Sequence, residues 1–440
     1  MKIMFISLGC DKNLSDTEEM LGILRECGYE FTNDETEAEI IIVNTCCFIN
    51  DAKEESINTI CEMAECKKRY KCSSLIVTGC LAQRYKDEII KEIPEVDAVI
   101  GTSSYDTIAE VVRSVTEGGT VTRFMDLDRL PQINTDRIIT TGGYYAYLKI
   151  AEGCDKNCTY CIIPKIRGHY RSIPMERLLA QAEKLAKKGV KELILVAQET
   201  TLYGKDIYGE KSLHLLLKRL CEIEGICFIR ILYCYPEEIY EELIDTIKTE
   251  KKICHYLDMP IQHCNDYILR RMGRRTNKKE LTDIIHKLRK SIPDIILRTT
   301  LISGFPGETD EEHEELMEFV DEMEFDRLGV FAYSPEENTP AADLDGQTDE
   351  EVKADRRAAI MELQQEIAFD KSESMIGKEL AAIIEGKVED ENVYAGRTYM
   401  DAPEVDGYIF ISADEELMSG DLVRVRVTGA SEYDLIGEKI

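Results

Sequence analysis

No uninterrupted apolar run in this 440-residue sequence approaches the ~20 residues that an α-helix needs to span a bilayer, so a helical membrane protein is not expected. No charged-then-apolar leader opens the chain either. Met1 to Gly9 reads as a short first strand, and the expected compartment is a reducing, cytoplasmic one. Internal repeats and low-complexity segments are also missing, which sets solenoids and biased tails aside. Bases are scarce beside acids: 54 Lys and Arg stand against 85 Asp and Glu, a formal charge of −31. A field of that sign repels nucleic-acid phosphates unless a local basic patch overrides it, and it attracts a basic protein. Cysteine, by contrast, is plentiful at 16 residues. In a reducing compartment these are ligands, catalysts or core residues rather than disulfides.

The most informative stretch is Cys154-Asp155-Lys156-Asn157-Cys158-Thr159-Tyr160-Cys161, directly after the strand-like run Tyr145–Ile150. Thiolates this close can converge on one soft metal centre, and sulfur ligands select zinc, copper(I) or iron–sulfur clusters. A closed zinc site wants four ligands. The loop offers three, with no fourth Cys or near His, since His169 lies beyond Pro164. Three cysteines on a four-iron cluster leave one iron open to a substrate.

Residues 1–118 alternate strand and helix. Strands are expected at Lys2–Leu8, Glu39–Asn44, Leu75–Thr78 and Val96–Ile100, with helices at Ser15–Cys27, Ala52–Tyr70 and Tyr105–Thr116. Continuous apolar runs between amphipathic helices predict a parallel sheet covered on both faces. Cys10 follows the first strand, Cys46 the second and Cys80 the third. Strand ends of such a sheet point to one edge, so these three can meet as a second metal site. Cys47 adjoins a candidate ligand and points elsewhere if Cys46 points in. Cys27, Cys61, Cys66 and Cys72 read as core or surface thiols.

Residues 119–140 read as a linker, with turn chemistry at Asp126, Asp128, Pro131 and Asn134. From 141 to 372 a second βα series follows, with strands at Tyr145–Ile150, Glu192–Ala197, Phe228–Leu232, Tyr256–Met259, Ile295–Leu301 and Leu328–Ala332. Six strands with helical crossovers fit a TIM-like βα barrel, possible as a partial one, with its chemistry at the strand ends. A helix near Glu350–Ser374 closes the series. Residues 373–440 show period-two patterning at Val423, Val425 and Val427, with Gly-centred turns expected at Gly386, Gly396, Gly407, Gly420 and Gly429. A five-stranded OB-like β-barrel is the natural reading.

Other stretches carry weaker signals. Glu199 ends the second barrel strand, where a carboxylate can accept from a ligand ammonium group or serve as an ordinary cap. Gly304 and Gly307 lie in Ser-Gly-Phe-Pro-Gly-Glu (303–308), a turn whose backbone can approach a ligand closely. Asp310, Glu311, Glu312 and Glu314 after it read as a solvated helix face. Tyr160 can lay an aromatic face beside a purine. His263 reads as structural. Arg167 and Arg171 form a basic patch that faces a carboxylate substrate or pairs with surface acids.

Taken together, the chain resembles the radical S-adenosylmethionine (radical-SAM) methylthiotransferases over nearly its whole length. Among them it is most similar to the RimO-type enzymes, which methylthiolate an aspartate of small-subunit ribosomal protein twelve. The matching stretches are Ser7-Leu8-Gly9-Cys10-Asp11-Lys12-Asn13-Leu14, Asn44-Thr45-Cys46, Thr78-Gly79-Cys80, Ala151-Glu152-Gly153-Cys154, Cys161-Ile162-Ile163-Pro164, Ile166-Arg167-Gly168 and Tyr256-Leu257-Asp258. The family commonly has Pro where Asp11 stands and Gly where Cys47 stands; neither departure removes a ligand. The resemblance implies an N-terminal methylthiotransferase domain (1–118), a radical-SAM barrel (141–372) and a C-terminal TRAM domain (373–440). It implies one [4Fe–4S] cluster on Cys154, Cys158 and Cys161 and an auxiliary one on Cys10, Cys46 and Cys80. It further implies S-adenosylmethionine as cosubstrate and hydrogen abstraction from the aspartate β-carbon; Tyr160, Glu199, Gly304 and Gly307, read above as candidate ligand contacts, are the expected cosubstrate-binding residues. No catalytic side chain beyond the cluster ligands is implied. The expected partners are the basic ribosomal protein and an electron donor, with no membrane and no DNA, and the chain is expected to be a monomer.

Two alternatives are weighed against this. A tRNA-adenosine methylthiotransferase shares the three domains, but an RNA-binding barrel needs a basic groove. Residues 373–440 hold 16 acids and six bases, net −10, which favours a basic protein. A non-catalytic iron–sulfur carrier would need neither the Glu199 loop nor the glycine turn.

Overall fold

The computed structural model describes every residue except Asn134, Asp390 and Glu391. The turn expected at Asn134 lies outside the described residues. The chain forms two compact units. The first comprises Met1–Thr140, Ala151–Ile173 and Ser334–Ala342; the second comprises Thr141–Ile150, Pro174–Tyr333 and Asp343–Ile440.

The first unit is built on a parallel sheet of β1 (Lys2–Ser7), β2 (Glu30–Phe31), β3 (Ile40–Thr45), β4 (Ser74–Gly79), β5 (Val96–Ile100) and β6 (Val121–Arg123). The order across the sheet is β2-β1-β3-β4-β5-β6. β3 and β4 are buried at every position, as strands covered on both faces must be. One face packs Ile41, Val43, Leu75 and Val77 against the helix Asn50–Arg69. The other packs Ile40, Ile42 and Ile76 with Met20, Leu24 and Val112 from the helices Asp11–Glu26 and Ile108–Thr116. The four expected strands are present. Two short edge strands join them, and β6 falls in the stretch read as linker; its three residues pair with Ala98–Ile100. So short a run has no detectable period, and only its neighbour makes it a strand.

In the second unit, β7 (Tyr145–Lys149) opens the second series. The two-residue strands β8 (Ala151–Glu152) and β9 (Arg171–Ser172) belong to the first unit. They pair antiparallel and clamp the base of the cysteine loop. The series continues with β10 (Glu192–Val196), β11 (Phe228–Ile231), β12 (Ile253–Asp258), β13 (Ile296–Ser303) and β14 (Arg327–Ala332). All are parallel, in the order β14-β13-β12-β11-β10-β7, an open, partial barrel. The helix Glu350–Glu373 packs along β14. β15 (Glu379–Lys387), β16 (Val393–Arg397), β17 (Ile409–Ser412), β18 (Leu422–Ser431) and β19 (Asp434–Lys439) close into a small barrel.

The glycine turns expected in that small barrel need correction. Gly386, Gly396 and Gly429 lie inside strands, and the ladders shift register at Gly386 and at Gly429. Glycine within a strand marks a bulge or a close backbone approach, and its sequence signal resembles that of a turn. A Cβ on Gly396 would meet the Ile383 carbonyl oxygen at 2.9 Å. Gly407 and Gly420 do lie outside the strands.

The loop between β16 and β17 is bound to the parallel sheet by buried charges. Glu192 on β10 accepts from Arg230 of β11 and from Arg397 of β16, both at 2.8 Å. Arg327 of β14 pairs with Asp401. Asp406 accepts from the Tyr256 hydroxyl at 2.7 Å and from Arg298 at 3.3 Å. No helix among the described residues is long and apolar enough to cross a membrane.

Candidate metal centres

Three adjacent strands, β1, β3 and β4, deliver Cys10, Cys46 and Cys80 to one edge of the sheet. Ser7 is in register with Asn44, and Thr45 with Gly79, so Cys46 and Cys80 leave the sheet side by side. Neighbouring strands lie about 4.8 Å apart, so three adjacent strand ends bring their following residues close together at one edge. Two glycines allow this approach. Gly9 (φ +90°) would put a Cβ 2.6 Å from that of Cys46, and Gly79 (φ +93°) would put one 2.3 Å from Asn44 Oδ1. A side chain at either place would push the thiols apart.

Polar side chains hold this edge from below. Asn13, fully buried, donates to the carbonyls of Leu8 (3.0 Å) and Thr45 (2.9 Å). Asn44 donates to the Asn13 carbonyl and to Thr17 Oγ1, both at 2.9 Å. The Ser56 hydroxyl accepts from the Cys46 N–H at 3.0 Å and donates to its carbonyl at 2.8 Å. Cys10 occupies the position just before the helix Asp11–Glu26, where the backbone dipole favours negative charge. Cys10 is exposed while Cys46 and Cys80 are buried, so solvent reaches the set on the Cys10 side.

Burial, then the neighbouring Cys80 and Cys10 sulfurs, push the Cys46 thiol up to about 12. Burial likewise raises Cys80. Three soft donors thus meet at one edge, and the two buried ones, Cys46 and Cys80, resist ionising by themselves. A multivalent cationic centre removes that penalty by binding all three as thiolates. The donor set therefore fits an iron–sulfur cluster. Cys47 is fully buried in the apolar cluster that also holds Cys80, Val43 and Val77; burial, then Cys80, raises its thiol. Cys27 and Cys61 are exposed, and Cys66 and Cys72 are buried.

The second set lies in the loop clamped by β8 and β9. Cys154 and Cys158 are buried, and Cys161 is half-buried. The Cys154 N–H donates to the Gly168 carbonyl at 3.1 Å and the Cys161 N–H to the Cys158 carbonyl at 3.0 Å. Asn157 takes a left-handed turn (φ +54°), and the Lys156 N–H points at Cys154 Sγ at 3.5 Å. Burial, then Cys158 and Cys154, raise the Cys161 thiol. Three soft sulfur donors on one short loop again fit a cluster. Tyr160 sits half-buried in the turn before Cys161.

Glu199, Gly304 and Gly307 belong to the second unit. Glu199 is fully buried just past β10 and accepts from the Thr201 N–H at 2.9 Å and from its hydroxyl. Gly304 and Gly307 both have positive φ in the turn after β13. The turn's N–H groups are largely occupied: Gly304 and Phe305 donate to Glu308, and Gly307 to the Gly346 carbonyl. Gly304 is also the place where Lys353 packs, 2.4 Å from a hypothetical Cβ. His263, read as structural, is fully buried and accepts from the Asn265 N–H; burial keeps its imidazole neutral, down to about 3. Asp310, Glu311 and Glu314 are exposed, while Glu312 closes a capping box with Thr309.

Sequence reasoning left Arg167 between two readings, and the structure adds a different one. Arg167 is buried and pairs with Asp16 (2.8 Å) and Glu152 (3.3 Å), which are themselves buried. Arg171 meets Asp128 at 3.3 Å and the carbonyls of Arg167 and His169. The overlooked group is the polar first half of the helix Asp11–Glu26, where Asn13, Ser15, Asp16, Thr17 and Glu18 are all buried. Its signal was a run of polar residues where a helix should show an apolar stripe.

Comparisons with known proteins agree in outline. Residues 2–101 match the model of Uncharacterized protein family UPF0004, residues 148–320 that of the Radical SAM superfamily, and residues 376–440 that of the TRAM domain. A protein named ribosomal protein uS12 methylthiotransferase RimO from Lachnoclostridium phytofermentans is 64% identical over 99% of both chains. One of the same name from Clostridioides difficile is 50% identical over 100% of this chain and 98% of that one. Among solved structures, the radical S-adenosylmethionine methyltransferase TsrM from Kitasatospora setae, with cobalamin and a [4Fe-4S] cluster bound, matches with a TM-score of 0.57. It is 13% identical, over 77% of this chain and 76% of that one, a likeness of fold alone.

Proposed function

The chain belongs to the RimO family of ribosomal protein uS12 methylthiotransferases, and on that premise we propose that it transfers a methylthio group to the β-carbon of an aspartate in that ribosomal protein. The observation that carries the reading is the pair of three-cysteine sets in a chain 64% identical to such an enzyme. Cys154, Cys158 and Cys161 hold one [4Fe–4S] cluster, and Cys10, Cys46 and Cys80 hold a second. Tyr160, Glu199, Gly304 and Gly307 are assigned to S-adenosylmethionine. When bound, these groups supply one-electron cleavage of an unactivated C–H bond and a sulfur source, which no acid–base side chain can offer.

The chain's own residues bind, orient and exclude. Burial of Cys154 and Cys158 keeps water from their sulfurs. The Thr201 N–H and hydroxyl fix the Glu199 carboxylate, a negative group suited to a ligand ammonium. Cys10, being exposed, leaves the second set open to incoming sulfur. The excess of acids suits a basic protein substrate, and the proposed setting is cytoplasmic. The test is mass spectrometry of uS12 from cells with and without this gene, paired with reductive cleavage of S-adenosylmethionine by the anaerobically reconstituted chain. A uS12 that carries the modification equally in both cells would remove this function. A reduced chain releasing no 5′-deoxyadenosine would remove the radical chemistry.

A further inference from the structure

One side chain of the loop carrying Cys154, Cys158 and Cys161 reaches the other cysteine set. Arg167 ends the short helix Ile163–Arg167, which begins two residues after Cys161. Its Nη2 lies 3.5 Å from Cys80 Sγ. The next residue, Gly168, accepts the Cys154 N–H through its carbonyl at 3.1 Å. Two consecutive residues thereby touch a thiol of one set and the backbone of the other.

The guanidinium is held firmly in this position. It is 3% exposed; Nη1 pairs with Asp16 and Glu152, and Nη2 donates to Asn13 Oδ1. Asn13 in turn grips the carbonyls of Leu8 and Thr45, which lie just before Cys10 and Cys46. The network therefore reaches the approach to all three thiols of that set, with Arg167 at its centre. Loss of any one contact leaves the guanidinium anchored by the others.

We propose that Arg167 is a positioning residue for the second cluster: its N–H on the Cys80 sulfur orients that ligand and favours the cluster's more negative, reduced state, while Gly168 fixes this arrangement to the Cys154 loop. The inference rests on the two-cluster reading above. Hydrogen bonds to ligand sulfurs and nearby charge are among the factors that set cluster potentials, and a buried, charged donor is a strong one. Lysine retains the charge but cannot offer the planar fork that serves Asp16, Asn13 and Cys80 together.

The test uses the full chain carrying Cys154→Ala, Cys158→Ala and Cys161→Ala, anaerobically reconstituted so that only the second set holds iron. The cluster's reduction potential is read by EPR-monitored titration, with and without Arg167→Lys. The expected result is unchanged iron and a more negative potential, by about tenfold in the reduced-to-oxidised ratio, about 59 mV for one electron. Arg167→Gln, which also strips the charge from beside Asp16 and Glu152, should shift it further; that variant can fail to fold, so Arg167→Lys carries the test. An unchanged or more positive potential and an unaltered EPR spectrum in Arg167→Lys overturn the proposal. If the triple-alanine chain binds no iron at all, the two-cluster reading itself falls and this inference with it.

Discussion

Replacing Glu192 with glutamine should loosen the small barrel from the parallel sheet. Glu192 is fully buried between two guanidiniums, Arg230 and Arg397, each 2.8 Å from a different carboxylate oxygen. Arg230 spends its other donors on the carbonyls of Tyr399 and Thr398, and its guanidinium stacks over the Tyr256 ring at 4.6 Å. Arg397 also meets the Asp401 carbonyl and Glu385. Glutamine preserves the volume but removes the negative charge and turns an NH₂ toward a cation. Breaking a buried pair from one side costs about 3–5 kcal/mol. Glu385 still compensates Arg397, which places the expected loss near the lower end, ~3 kcal/mol. With a urea slope of about 3 kcal/mol/M, the midpoint falls by about 1 M. The assay is urea unfolding followed by far-UV circular dichroism, with limited proteolysis assigning the transition to residues 373–440. Burial would raise the Glu192 carboxyl, but the charges of Arg397 and Arg230 outweigh it and hold it below the usual range. Its contribution is therefore fully present above the unfolded value of about 4.3 and is lost as pH falls through the lower folded value. Glu192→Gln should flatten that acid limb. A loss under about 1 kcal/mol, the scale of an exposed pair, would refute the argument.

The remaining predictions concern the clusters and the partner. Anaerobic reconstitution should load about eight irons per chain, four on each set, and replacing Cys154, Cys158 and Cys161 together by alanine should leave about half; iron near the full value would displace the assignment of that loop. Cys10→Ala, Cys46→Ala or Cys80→Ala should stop methylthiolation while reductive cleavage of S-adenosylmethionine stays measurable; continued methylthiolation by a chain lacking all three would refute the second cluster. Cys47→Ala should keep its iron, because it is the Cys46 sulfur that lies against Gly9 with Cys80 and Cys10 as its neighbours; loss of the second cluster in this variant would reassign the ligand. Binding of the full chain to the basic ribosomal protein should weaken as salt rises, since exposed charges are screened over about 8 Å at physiological ionic strength. Transfer RNA should bind far more weakly at every salt concentration, and tighter binding to it would promote the tRNA alternative. The full chain is the right reagent here, because Asp401, Asp406 and Arg397 are engaged with the parallel sheet and would lie bare in an isolated 373–440 segment.

What the sequence determined by itself is what depends on neighbours along the chain. The spacing of Cys154, Cys158 and Cys161 places three sulfurs on one loop whatever surrounds it. Runs such as Ile40–Val43 can be satisfied only by a strand buried on both faces, and the alternation around Val423–Val427 only by one with a single dry face. Cys10, Cys46 and Cys80 were legible as a set because strand polarity puts all carboxyl ends on one edge. Tertiary structure decided the rest, since each remaining contact joins residues far apart in sequence. Arg167 is committed to Asp16, 151 positions away. A surface Arg and one buried between two carboxylates look alike in a string of letters, because burial belongs to the folded neighbourhood and not to the residue. The same holds for Arg397 and Glu192, 205 positions apart. Net charge counted both as surface, whereas folding removed them from solvent and used them to fasten the small barrel in place.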